Sequence, residues 1–144
     1  MIILTIILIN LIWVAYSMAD GFREGFYWHF RRNSRRGCDF EINQVFSLQR
    51  LLVIILISMF MIHVVGYLSI LISSCLLMTF SFFHNGTYYL TRNKLDDKRY
   101  PNKWKDESST FPTFYSGLMP YRKRTILMVL GVTIEIFIYI FLIH

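Results

Sequence analysis

From Leu51 to Phe83 the chain runs 33 residues without a Lys, Arg, Asp or Glu. As one helix that run would be about 50 Å long, against a bilayer hydrocarbon core of about 30 Å. A single crossing would demand an extreme tilt. Two crossings need a tight turn, and Gly66-Tyr67 sits close to the middle of the run.

The placement of cations chooses between the two arrangements. All fifteen Lys and Arg fall in two blocks: Arg23, Arg31, Arg32, Arg35, Arg36 and Arg50 ahead of the run or at its edge, and nine more from Arg92 to Arg124 behind it. A single crossing would put the blocks on opposite faces of the bilayer. A hairpin puts both on one face, with an uncharged turn on the other, as the positive-inside bias favours.

The flanks supply two more spans. Residues 1–19 carry no charge, lack a basic leader region, and form an apolar run longer than the roughly 7–15 residues of a secretory signal core. They read as a retained first span, with Trp13 and Tyr16 toward an interface. Residues 125–143 form the last span, edged by Arg122-Lys123-Arg124. The expected fold is therefore all-α and integral to the membrane. A first span over 1–19 is followed by a loop over 20–46 and a hairpin of 47–65 and 67–84. A loop over 85–124 leads to the last span over 125–143. This topology puts both termini on the non-cytoplasmic side, in a bacterial inner membrane, as one transmembrane domain of 144 residues. The basic loops are expected to face the cytoplasm and meet anionic headgroups. A nucleic-acid arm is the sharper reading of the run from Arg31 to Gly37, but topology and lipid account for its arginines, and no nucleic acid is expected as a partner. Cys38 and Cys75 show no metal-type spacing and fall in different environments, so no disulfide framework is expected.

In the longer loop, Asn85-Gly86 reads as a helix stop. Tyr88, Tyr89, Tyr100, Trp104, Phe111, Phe114 and Tyr115 are expected to dip into the headgroups. Asn85-Gly86-Thr87 has the pattern of a glycosylation acceptor but falls on the cytoplasmic side of this topology.

Two places can hold chemistry. Asp20 and Glu24 stand four apart, on one face of a helix extending the first span, and the hairpin returns His84 to the same side. His29 follows about a turn and a half beyond Glu24. Asp20, Glu24, His29 and His84 could ligate a divalent metal or supply an acid–base pair. The plainer reading pairs the two acids with Arg23 or other nearby cations. The second place is Glu135, mid-way along the last span, where a charged acid costs at least about 2.5–3.5 kcal/mol on insertion scales. Gly131, Glu135 and Tyr139 share a face. Asn10, Ser58 and Ser73 lie at similar depth, so a midplane polar cluster of Asn10, Ser58, Ser73 and Glu135 is expected. It would serve either as interhelical hydrogen-bond glue or as a proton or ion path. His63 reads as a lone hydrogen-bonding histidine. No phosphate loop, nucleophile elbow or paired glycosidase acids occur.

The runs His84-Asn85-Gly86-Thr87-Tyr88-Tyr89, Thr91-Arg92-Asn93 and Tyr100-Pro101 resemble those of small polytopic membrane proteins of phages and gut-type bacteria. Asp20-Gly21-Phe22-Arg23-Glu24-Gly25 and Trp28-His29 add to the resemblance, which covers about half of the chain. It brings no activity with it. It implies a phage or prophage setting and membrane-directed roles such as holin-like lysis or exclusion of competing phage. The leading expectation is a non-enzymatic membrane effector or accessory subunit, acting as a homo-oligomer or within a larger membrane complex. The alternatives are a membrane-embedded metal-dependent enzyme using Asp20, Glu24 and His84, and a proton- or ion-conducting bundle through Glu135.

Overall fold

The structure, a computed structural model, describes residues 2–31, 39–99 and 120–143. Those residues form four helices: α1 (Ile2–Arg31), α2 (Asp39–Val65), α3 (Leu68–Leu95) and α4 (Tyr121–Ile143). Each is long and apolar enough to cross a membrane, as in an integral membrane protein. The outward faces carry Leu8, Leu11 and Ile12 on α1, Leu52, Leu56 and Met59 on α2, and Ile136, Phe137 and Phe141 on α4. Apolar side chains cover the outside, and the inside combines an apolar core with buried Ser, Thr, Asn, His, Asp and Glu side chains.

The break between α2 and α3 falls at Gly66-Tyr67. Gly66 has φ +60°, a left-handed backbone that glycine adopts without a Cβ penalty, and its amide donates to the Ile62 carbonyl at 2.9 Å.

The central element is α3, against which α1, α2 and α4 all pack. Its buried residues include Ser69, Ser73, Thr79, Ser81, His84, Asn85, Gly86, Thr87, Thr91 and Asn93. Small side chains let neighbouring backbones come close, which is how helices associate where lipid supplies no hydrophobic drive. The facing stripe of α1 is Ile6, Ile9, Trp13, Ser17, Asp20, Gly21 and Gly25, at steps of mostly three and four residues along one helical face. A Cβ on Gly21 would lie 2.1 Å from the His84 carbonyl oxygen, and one on Gly25 would lie 3.0 Å from the Tyr88 carbonyl. The two helices therefore touch backbone to backbone. Gly131 does the same for α4, where a Cβ would meet the Cys75 carbonyl at 3.0 Å.

Several expectations change here. Asn85-Gly86 does not end a helix: α3 continues to Leu95, so residues 85–95 are helical instead of loop. The polar side chains on this stretch bond within their own helix. Asn85 Nδ2 donates to Ser81 Oγ at 3.0 Å, Thr87 to the Phe83 carbonyl at 2.9 Å and Thr91 to the Thr87 carbonyl at 2.8 Å. Tyr89 is buried on this helix, not laid on a headgroup surface. Trp13 also belongs to the core. It is 1% exposed, packs on Phe80 with ring centroids 5.5 Å apart, and donates its indole N–H to the Leu76 carbonyl at 2.6 Å. The expected loops shorten as well, since α1 runs on to Arg31 and α2 begins at Asp39. The basic run beyond Arg31, Cys38 and the aromatics from Tyr100 to Tyr115 lie outside the described residues.

The midplane polar residues fall into two groups. The Ser58 and Ser73 hydroxyls share a hydrogen bond at 2.7 Å, tying α2 to α3. Asn10 donates to the Tyr139 hydroxyl at 3.1 Å, tying α1 to α4 beside Glu135. Ser58→Ala should lower the unfolding free energy in detergent by about 0.6 kcal/mol, the mean for interhelical hydrogen bonds in a membrane bundle. A denaturant titration that finds no loss would show that this pair contributes nothing to the α2–α3 contact.

Candidate functional site

Three helices meet around His84. The close α1–α3 approach at Gly21 and Gly25 sets the neighbouring residues, Asp20 and Glu24, directly against His84 of α3. His84 Nε2 lies 3.0 Å from Glu24 Oε2 and 3.3 Å from Asp20 Oδ2. One ligand atom from each of the three residues falls within 4.8 Å of the others. The Asp20 side chain is 1% exposed, His84 7% and Glu24 13%, so the group is withdrawn from solvent with Glu24 at its open side.

The sequence reading missed a fourth member. Arg50 of α2 donates from Nε to Asp20 Oδ2 at 2.7 Å and from Nη2 to Glu24 Oε2. The same Nη2 is 2.9 Å from His84 Nε2. Its guanidinium lies over the Phe80 ring, 5.5 Å from the centroid, and Phe80 in turn stacks on the His84 imidazole at 5.0 Å. Arg50 counts as a topology-setting cation when only the sequence is read. The signal that marks it is the lone cation opening the apolar run, on the same membrane face as two acids that share a helical stripe. Arg23 also pairs with Asp20 and donates to Gln49 at 2.8 Å, so the plain pairing of the acids with nearby cations is present too.

The chemistry turns on the imidazole. Asn85 Nδ2 is taken by Ser81, which leaves Asn85 Oδ1 facing His84 Nδ1 at 3.1 Å. An amide oxygen only accepts, so Nδ1 carries the proton. In the neutral ring the Nε2 lone pair then points at the two carboxylates and Arg50. A second-shell bond that fixes the tautomer in this way is what metal-ligating histidines show. Two ligand atoms that share one ion at about 2.1 Å lie roughly 3.0–3.4 Å apart. The observed 3.0 and 3.3 Å separations fit that spacing. In this arrangement the Arg50 guanidinium holds the position a cation would take. With His84 neutral, Arg23 and Arg50 together balance the charges of Asp20 and Glu24.

His29 does not join. It sits about 140° around the helix from Glu24, edge-on to Phe30 with centroids 5.2 Å apart. His63 is exposed near the end of α2, and Cys75 is a buried free thiol on α3.

No protein-family model, curated protein or solved structure matches this chain. Its functional reading therefore rests on its own side chains.

Proposed function

We propose that this integral membrane protein carries a divalent-cation centre made by Asp20, Glu24 and His84, and works as a membrane-embedded metal-dependent enzyme. The observation that supports this most is the convergence of two carboxylates and one imidazole from two helices, within 4.8 Å of one another and away from solvent. Carboxylate and imidazole donors together suit Mn²⁺, Fe²⁺ or Zn²⁺. A cation there would serve as a Lewis acid for a group presented at one end of the bundle. Arg50 fits as the resident counter-cation that bridges the two acids in the metal-free protein. The effector, accessory-subunit and phage-related readings rest on topology and resemblance.

The competing reading of the same distances is a structural ion-pair lock closed by Arg50. Metal content separates the two. Protein purified in detergent, loaded with Mn²⁺ or Zn²⁺ and desalted, should retain about one ion per chain by elemental analysis. Asp20→Asn and His84→Ala should each reduce retention about 10–100-fold in affinity. Wild-type protein that retains no ion, or variants that retain as much as the wild type, would remove the metal reading.

A further inference from the structure

Nearer the middle of the bundle a groove of about 240 Å³ opens between α1, α3 and α4. It uses none of the residues of the Asp20–Glu24–His84 centre. Its walls are mostly apolar, and Asn10, Thr79, Glu135 and Tyr139 supply the polar atoms. Glu135 is 6% exposed, and its Oε1 is buried without a hydrogen-bond partner. A buried acceptor in that condition costs roughly 1–3 kcal/mol unless something fills the site.

The Asn10 amide N–H groups point to the Ile6 carbonyl and the Tyr139 hydroxyl, both at 3.1 Å, and the amide also neighbours the Glu135 carboxyl. The Thr79 hydroxyl donates to the Leu76 carbonyl at 2.9 Å, which leaves its oxygen free to accept. The Tyr139 hydroxyl, which accepts from Asn10, keeps an O–H to donate, while the Glu135 carboxylate and the Thr79 oxygen are acceptors, and one of these is an acid. The matching head is a donor that can carry positive charge. A primary ammonium offers three N–H groups, and its pairing with a carboxylate leaves no unpaired charge in the apolar layer.

The mouth is bordered by the exposed residues Ile7, Leu11 and Val132, so a ligand enters from the lipid-facing flank and leaves an apolar tail there. Scaled from an engineered cavity of about 150 Å³ that holds benzene, the volume admits roughly ten non-hydrogen atoms, enough for a head and the first few carbons of a chain. Glu135 lies roughly 12 Å from the Ile143 end of α4, inside the apolar depth of the helix.

We infer that this groove is a binding site for a membrane-dissolved amphiphile with a primary ammonium head, held by Glu135 with Asn10 and Thr79. The test uses the full chain in phosphatidylcholine nanodiscs and dodecylamine carrying a photoreactive diazirine in its tail, with adducts located by mass spectrometry. The amine should label α1 and α4 beside the groove. Glu135→Gln, which keeps the shape and removes the charge, should cut labelling about tenfold, the equivalent of about 1.4 kcal/mol. Val132→Trp, which narrows the mouth and leaves the acid in place, should also cut it. Dodecanol and dodecanoate probes should label weakly. Loss of amine labelling when phosphatidylethanolamine is added would assign the ammonium to a lipid headgroup, and persistence would assign it to a free long-chain amine. Equal labelling by dodecanol, or labelling unchanged in both variants, would overturn the site.

Discussion

Gly21→Ala should cost about 2–4 kcal/mol of stability and weaken the Asp20–Glu24–His84 centre with it. The added Cβ would lie 2.1 Å from the His84 carbonyl oxygen and 2.9 Å from its carbon. Both are backbone atoms, with no side chain able to swing away, so α1 has to retreat from α3 by roughly 1 Å in a close-packed interface. That retreat strains every α1–α3 contact at once, including the Trp13–Leu76 hydrogen bond and the approach of both carboxylates to His84. A metal-binding assay should show a loss of at least about tenfold, as for other changes that misplace a ligand. Gly66→Ala is the matched control. Its Cβ would meet nothing within 4 Å, and only its φ of +60° is unfavourable, so about 1–2 kcal/mol is expected, with the centre unchanged. Thermal melts in detergent with parallel metal-retention measurements compare the two. A Gly21→Ala protein that melts like the wild type and keeps its metal affinity would mean that α1 and α3 do not touch there.

Segregated charge makes the four helices legible in the amino-acid order itself. An uncharged run too long for one crossing, with every cation outside it, requires a break, and the structure places that break at Gly66-Tyr67. The spacing of Asp20 and Glu24 and the return of His84 are legible for the same reason, because helix period and hairpin depth are sequence properties. What reads wrongly is the meaning of polar residues. In a water-soluble chain Asn85-Gly86 ends a helix. Here the central helix is surrounded by three others, and its Asn and Thr side chains bond to their own preceding turn, so the helix continues. Trp13 reads as an interfacial anchor because indole favours that zone, but the small residues of α3 leave room for it and the Leu76 carbonyl satisfies its N–H. Arg50 is the costliest omission. A cation at the end of a span has two readings, as a topology signal and as a partner for buried acids. Only the position of Asp20 and Glu24 in space separates them.

Arg50→Met should destabilise the metal-free protein by about 3–5 kcal/mol, the range for removing one partner of a buried ion pair. Met keeps the apolar stem over Phe80 and deletes the guanidinium, so the loss reports charge more than packing. Asp20 then keeps Arg23 and Glu24 keeps the Trp28 indole, with His84 against both acids. The two readings of the cluster diverge at that point. If it is a cation centre, Mn²⁺ or Zn²⁺ meets no resident competitor in the variant. At a hundred times its Kd the ion should restore about 2.7 kcal/mol. In the wild type the same ion must first displace the guanidinium from both carboxylates, so its stabilising effect should be smaller and its apparent affinity lower. The signature is a larger metal-induced rise in Tm for Arg50→Met than for wild type, abolished when Asp20→Asn is added. If Arg50 is only a lock, the variant is destabilised and no cation recovers it, because nothing in the cluster was shaped to hold one. A Tm that stays depressed across Mn²⁺, Zn²⁺ and Mg²⁺ titrations would therefore reassign Asp20, Glu24 and His84 from chemistry to the joining of α1, α2 and α3.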